Sequence, residues 1–312
     1  MTQYSIGIDI SKAHLDVYEF PDGRSRRFEN HQAGFDELKG WLPAKERIAR
    51  LIYEATGPYH AGLERQFADT HPLVKVNPLQ ARRFAQSMGS RAKTDAVDAR
   101  ILAQMGAALD LAPQRPLSDT MRDLKELQIA RSALIKDQTR LRNRLQTQTV
   151  SFVIAQSTAR LDLVSQHLHA IDAEILARIG AEKAQGRAHQ IIRSIPGIGD
   201  VSAAAILIEM PEIGTLNRKQ TASLAGLAPM TRQSGNWTGQ AFIQGGRHHL
   251  RQALYMPALV AMRFNPDLKA KYQALRAAGK PAKVALTVLM RKLIVMANDL
   301  VKADRLWTPK RP

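Results

Sequence analysis

Two aspartates three residues apart, Asp95 and Asp98 in the run KTDAVDAR, fall in the first turn of a predicted helix (about Thr94 to Leu109, with Thr94 as N-cap). That spacing sets both carboxylates on one helical face. Two readings suit the pair. Acids in a first turn favour the helix dipole. Alternatively a cation sits between them, and further carboxylates must then converge from elsewhere. Two more acids stand in apolar company: Asp9 interrupts IGIDI, on the strand face opposite Ile8 and Ile10, and Glu54 closes the apolar run LIYEAT. Taken singly, each suits a salt-bridged or edge-exposed acid, because an unpaired carboxylate in a central strand is costly to bury. Taken together, Asp9, Glu54, Asp95 and Asp98 form a donor set of hard oxygens, the chemistry that magnesium selects, with manganese as a substitute. Two such ions, roughly 3.5–4 Å apart, stabilise the entering and leaving oxygens of a phosphodiester displacement. Without a cation, four crowded acids raise one another's pKa.

The chemistry of the partner follows from charge. Among 312 residues, Lys and Arg number 45 against 28 Asp and Glu, a formal net charge of +17. Such an excess points to a polyanion, above all nucleic acid. No basic amphipathic segment favours an anionic membrane surface instead, and the longest apolar run, VSAAAILI, is too short to span a bilayer. The chain has no cysteine, which excludes disulfides and thiolate metal sites and suits a reducing compartment. Its first residues enter YSIGIDIS with no room for a signal peptide. The expectation is a cytoplasmic, nucleoid-associated protein without membrane contact.

Elements must position these acids. YSIGIDIS, HLDVYEF and GRSRRFEN read as three successive antiparallel strands, followed by a helix in QAGFDELKGWL with Phe35, Leu38 and Leu42 on one stripe. RIARLIYEAT reads as a buried strand, YHAGLERQFAD as a helix and LVKVN as a short strand, after which Pro78 opens another helix. The pattern predicts a mixed sheet flanked by helices over residues 1–112. Residues 113–188 change to long helices: Leu127, Arg131, Leu134, Gln138, Leu141 and Leu145 step alternately by four and three, and Leu161 to Ile175 continue the rhythm. A hairpin within one chain and a coiled coil between chains both suit that seam, with a lean toward assembly. Residues 189–312 open on SIPGIG. There the backbone at Gly197 and Gly199 suits either a phosphate-binding helix-hairpin-helix turn or a plain turn between packed helices. A glycine-rich polar loop at 228–249 and two helices, 249–263 and 281–303, complete an all-α C-terminal domain. Their basic residues, Arg291 and Lys292 among them, lie near that loop in sequence.

Acids on a first strand, a later strand and a following helix resemble the layout of ribonuclease-H-like (RuvC-like) nucleases and transposases. In those folds the first and fourth strands lie side by side. IGIDISK, YEATGPY, NPLQARRFAQS, KTDAVDAR, SIPGIG, LAGLAPMTRQSG and LRQALYMPALVA, in that order along nearly the whole chain, resemble the DEDD-type insertion-sequence transposases, whose relatives include a pilin-gene inversion recombinase. The resemblance places the family's acid tetrad on Asp9, Glu54, Asp95 and Asp98, and its nucleophilic serine on Ser234 of RQSGNW. Some relatives carry further serines just after the matched one; here Asn236 and the tryptophan after it follow, and Ser234 is the only serine beyond Ser223. The resemblance implies a 5′-phosphoserine intermediate, magnesium at the tetrad, guidance by a noncoding bridge RNA whose loops pair with donor and target DNA, and action as a dimer or tetramer.

From the residues alone, a serine beside glycine in a polar loop is more often a loop residue than a nucleophile. No neighbouring base is assigned to it. Arg232, Arg247, His248, His249 and Arg251 are near enough in sequence for phosphate contact. The absence of a GxxxxGK[ST] loop agrees with strand exchange that conserves bond energy without ATP. Two rival functions remain open at this level: a structure-specific endonuclease using water with the same four acids, and a noncatalytic nucleic-acid-binding protein.

Overall fold

The computed structural model describes residues 3–54, 57, 59–89, 95–113, 117–235 and 237–309, without the side chains of Asp95 and Ala96. Thr94, the expected N-cap, and Asn236 lie outside the described residues. The chain forms two compact units, Met1–Leu117 and Ser118–Pro312.

The first unit is built on a five-stranded sheet of β1 (Tyr4–Ile10), β2 (His14–Phe20), β3 (Ser25–Glu29), β4 (Ile48–Glu54) and β5 (Leu73–Val76) in the order β3-β2-β1-β4-β5. β2 runs antiparallel to β1 and β3, whereas β1, β4 and β5 are mutually parallel. Period-two alternation feeds two cores. Ile6, Ile8, Leu51 and Tyr53 face Phe35 and Leu38 of α1 (Gln32–Trp41) and Leu63 and Phe67 of α2 (Ala61–Phe67). Ile52, Val74 and Val76 face the other way, toward Ala81 of α3 (Pro78–Ser87) and Leu102 and Met105 of α4 (Asp95–Leu109). Asn77 caps α3 by accepting from the Leu79 N–H, with Pro78 in the first turn, where its missing N–H costs nothing.

The second unit begins with α5 (Asp119–Leu145) and α6 (Ser151–Ala181), which pack against each other as an antiparallel hairpin within one chain. The polar seam positions find partners across it: Arg131 bonds Asp172, and Gln138 donates to Ser165 at 3.2 Å. Leu124, Ile175 and Ile179 join the same core as α7 (Lys183–Arg193), α8 (Asp200–Glu209) and the helices that follow, so the hairpin is continuous with the C-terminal helices.

Two differences from the sequence reading stand out in the last third. The expected helix 249–263 is two helices, α10 (His248–Ala253) and α11 (Tyr255–Phe264). Pro257 lacks the N–H that would reach back to Ala253, and the break falls there. The sequence reading also omitted α9 (Arg218–Leu224) and α12 (Pro266–Ala277), both announced by asparagine caps: Asn217 in a capping box, and Asn265 ahead of Pro266. α13 (Ala282–Lys302) matches expectation. Nor is the C-terminal region all-α. The glycine-rich segment forms a β-hairpin, with β6 (Pro229–Met230) on β9 (Phe242–Ile243) and β7 (Gln233–Ser234) on β8 (Trp237–Thr238). Strands of two residues with no buried face carry no alternation to read, which is why they resembled a loop. No described helix is long and apolar enough to cross a membrane.

Candidate functional site

β1 and β4 pair in parallel with Gly7 opposite Ile52 and Ile8 opposite Tyr53. Asp9 and Glu54 are the next residue on each strand, so they leave the sheet at the same end and on the same face, both half-buried. That face also carries Ser5, Gly7, Arg50 and Ile52, and α4 lies across it. Ser5 Oγ donates to the Ala103 carbonyl at 2.8 Å, and Arg50 donates to the Gly106 carbonyl at 2.5 Å and to Asp110 Oδ1 at 2.6 Å.

The approach is close because two glycines permit it. A Cβ on Gly7 would overlap the Ala99 carbonyl oxygen and stand 2.5 Å from Ala103 N, and one on Gly106 would overlap the Ile52 side chain. Moving from Ser5 to Gly7 along β1 therefore moves from Ala103 to Ala99 along α4, so the helix runs opposite to the strand. Two strand residues further, about 6.6 Å, comes Asp9. One helical turn earlier, about 6 Å, comes the start of α4, with Asp95 as its first residue and half-buried Asp98 beside Ala99. The sheet end bearing Asp9 and Glu54 and the helix start bearing the aspartate pair thus lie in the same direction.

Among the described residues, no group of three or more His, Cys, Asp or Glu side chains is close enough to hold a metal ion. Asp9, Glu54 and Asp98 do not by themselves make such a cluster, and the Asp95 side chain lies outside the described set. Oxygen donors at the same end of two neighbouring interior strands are the kind that a hard divalent cation takes.

On the opposite sheet face a buried polar network braces the same strand ends. Glu64 Oε1, on α2, accepts from Tyr53 Oη at 2.6 Å and from Lys75 Nζ at 2.8 Å, while Lys75 also donates to His60 Nε2 at 2.7 Å. Burial pushes the Glu64 carboxyl up, but the bonds from Lys75 and Tyr53 outweigh it and hold it below the usual carboxylate range. Burial, reinforced by the Lys75 charge, pulls His60 down, in keeping with a neutral ring that accepts from Lys75. Sequence reasoning missed this network, although a glutamate between Leu63 and Phe67 on an otherwise apolar helix face was a signal.

Ser234 stands in the second unit, opposite Trp237 across the tip of the hairpin, exposed and next to Gly235 with φ +56°. The left-handed conformation at the turn explains the glycine. Among the described residues the Ser234 hydroxyl has no hydrogen-bond partner. The Arg232 guanidinium lies 4.6 Å over the Phe242 ring and pins one strand of the hairpin to the other. Arg247 forks onto Glu212 at 2.6 and 2.7 Å and donates to the Glu209 carbonyl. Burial raises the Glu212 carboxyl, but Arg247 prevails and holds it below the usual range. Arg251 donates to the Gly245 carbonyl at 2.7 Å, so both arginines anchor the base of the hairpin. His248 and His249 are exposed.

At the SIPGIG turn, Gly197 has φ +108°, and a Cβ there would sit 2.8 Å from Ala261 N, so close passage of α11 requires the glycine. Gly199 caps α8 with open space around it, and Asp200 in the first turn pairs with Arg193 at 3.0 Å.

A transposase model, that of the DEDD transposases of insertion sequence IS110, matches residues 6–153, and one described as "Transposase IS116/IS110/IS902 family" matches residues 189–273. The chain is 30% identical to the pilin gene-inverting protein of Moraxella bovis over 98% of both chains, and equally so to that of Moraxella lacunata. It is 28% identical to an insertion element IS110 protein of Streptomyces coelicolor over 53% of this chain and 40% of that one. The mixed five-stranded N-terminal sheet followed by a helical region fits a DEDD-like transposase. The chain belongs to the IS110/IS116 family of transposases, enzymes that act on DNA.

Proposed function

We propose that this transposase cuts and rejoins DNA strands through a phosphoserine on Ser234, with Asp9, Glu54, Asp95 and Asp98 holding magnesium in a ribonuclease-H-like domain. The observation that carries the reading is the shared end and face of Asp9 and Glu54, toward which α4 begins. Bound there, magnesium supplies charge neutralisation to the scissile phosphate, which lowers the barrier to attack by an oxygen nucleophile.

Ser234 Oγ attacks the phosphorus and loses its proton. The bond from phosphorus to the 3′ oxygen breaks, and that strand leaves as a 3′-hydroxyl. In rejoining, a 3′-hydroxyl of the exchanged strand attacks the phosphoserine, and the proton returns to Ser234. Each step trades one phosphodiester for another, so no nucleotide triphosphate is consumed. The exposed hairpin tip supports this role, since a nucleophile aimed at a DNA backbone must reach beyond the protein surface. Arg232, two residues before Ser234, the exposed His248 at the start of α10, and the open backbone at Gly199 suit phosphate contact.

Sequence choice is delegated to base pairing by a structured guide RNA, and the basic surplus serves RNA and DNA together. The protein acts as a multimer. Val150 and Phe152, 60% and 71% exposed at the far end of the α5–α6 hairpin, support contact with a second copy.

The test is a strand-exchange reaction with copurifying RNA present and removed, resolved on denaturing gels. The reading expects a protein–DNA adduct that disappears in Ser234→Ala and exchange that requires the RNA. Unchanged cleavage in Ser234→Ala would instead identify a hydrolase using water.

A further inference from the structure

Helix α13 carries two stripes. Leu286, Leu289, Leu293 and Ala297 point into the core. On the flank, Val288, Arg291, Lys292, Val295 and Met296 recur at the three-and-four spacing and form one wall of a groove of about 570 Å3. The start of α9, the start of α12 and the chain after α13 close it, contributing Arg218, Asp267, Arg305 and Trp307. The groove lies outside the hairpin and the acid-bearing sheet, and nothing in the proposed chemistry uses it.

Its charge is uneven. Arg218 is tied to Asp299 at 2.9 Å. Arg291, Lys292 and Arg305 make no ion pair among the described residues; of the two carboxylates lining the groove, Asp299 is taken up by Arg218, which leaves Asp267 to oppose three cations. The floor is apolar. Trp307 packs against the core of the unit, and its backbone N–H donates to Ser194 Oγ at 2.8 Å, so the indole is held in place while half-exposed. Fixed aromatic faces flanked by Arg and Lys bind unpaired bases by stacking while the cations meet phosphate. A duplex keeps its base faces stacked inside and has none to offer an indole.

We propose that this groove binds a single-stranded segment of nucleic acid, with a base on Trp307 and backbone phosphates at Arg291, Lys292 and Arg305. The inference rests on the nucleic-acid partner of the proposed function, and gives that partner's unpaired stretch a place on the C-terminal unit.

The test uses the full chain carrying Asp9→Asn, so that no cleavage intrudes, and fluorescence anisotropy of a labelled oligouridine 12-mer. Lys292→Glu with Arg305→Glu weakens binding at least tenfold, whereas Lys136→Glu with Arg140→Glu, an equal charge change on exposed residues of α5, alters it less than twofold. Trp307→Leu weakens binding at least fivefold and Trp307→Phe restores it, with far-UV circular dichroism unchanged in all four. A 12-base-pair duplex is indifferent to Trp307→Leu. Equal losses from the two charge reversals, or an unaffected Trp307→Leu, would overturn the groove as the site. Either result leaves the Ser234 adduct assay untouched, so the two proposals fail separately.

Discussion

Gly7 on β1 and Ala99 on α4 meet backbone to backbone: no side chain fits between the strand and the carbonyl oxygen of the helix. This contact decides how far over the sheet α4 sits, and hence where its first turn, with Asp95 and Asp98, stands relative to Asp9. Gly7→Ala is expected to cost about 3 kcal/mol of stability, since neither backbone can yield. Gly106→Ala costs less, because the atoms its Cβ meets belong to the Ile52 and Ser5 side chains, which can change rotamer, and not to backbone. Urea denaturation of the two variants checks the order.

Asp9→Asn, Glu54→Gln and Asp98→Asn each lower strand exchange more than about a hundredfold, exceeding the effect of losing an outer-shell partner of a metal ligand. A variant that keeps full activity would remove that acid from the site.

Ser234→Ala abolishes the covalent protein–DNA adduct and leaves the fold intact, since the hydroxyl bonds to nothing described. Gly235→Val strains the left-handed turn and lowers adduct yield while Ser234 itself remains. Adduct on denaturing gels and far-UV circular dichroism separate the two effects.

The network at Glu64 sets an acid dependence of stability. His60 has a lowered folded pKa, so the unfolded chain takes up its proton first; this stability is full above about pH 6.5 and is lost as pH falls below it. His71, also lowered by burial and by Lys45 and Lys39, adds in the same window. Glu64 and Glu212, held below the ordinary carboxylate value, contribute stability that is lost as pH falls through their folded pKa. Urea midpoints against pH should therefore drop in two stages, with the first reduced in His60→Gln and the second in Glu64→Gln.

Arg247 and Glu212 are coupled through two hydrogen bonds at 2.6 and 2.7 Å. A double-mutant cycle of Arg247→Ala and Glu212→Ala is expected to give about 1–3 kcal/mol of interaction energy. A change in the salt dependence of DNA binding without such coupling would instead make Arg247 a phosphate contact.

Local periodicities made much of this molecule legible. Period-two alternation placed Asp9 opposite Ile8 and Ile10, and the order of strands and helices in the first unit follows from apolar runs and Pro78. The heptad-like seam of α5 and α6 was equally plain, but its partner was not. The same spacing serves one chain or two; within this chain Arg131 meets Asp172 and Gln138 meets Ser165, contacts that no heptad spacing specifies. The hairpin bearing Ser234 was hidden because four two-residue strands bury no alternating face.

Residue types and spacing by themselves determined the basic charge and the strand face that Asp9 occupies, because composition and period-two alternation are local properties of the chain. Tertiary structure alone decided that α4 runs back across β1 and β4 through Gly7 and Gly106, and that α13, the start of α9 and Trp307 enclose a groove. Those outcomes depend on the packing of segments tens to hundreds of residues apart, and no local period encodes which surfaces will meet.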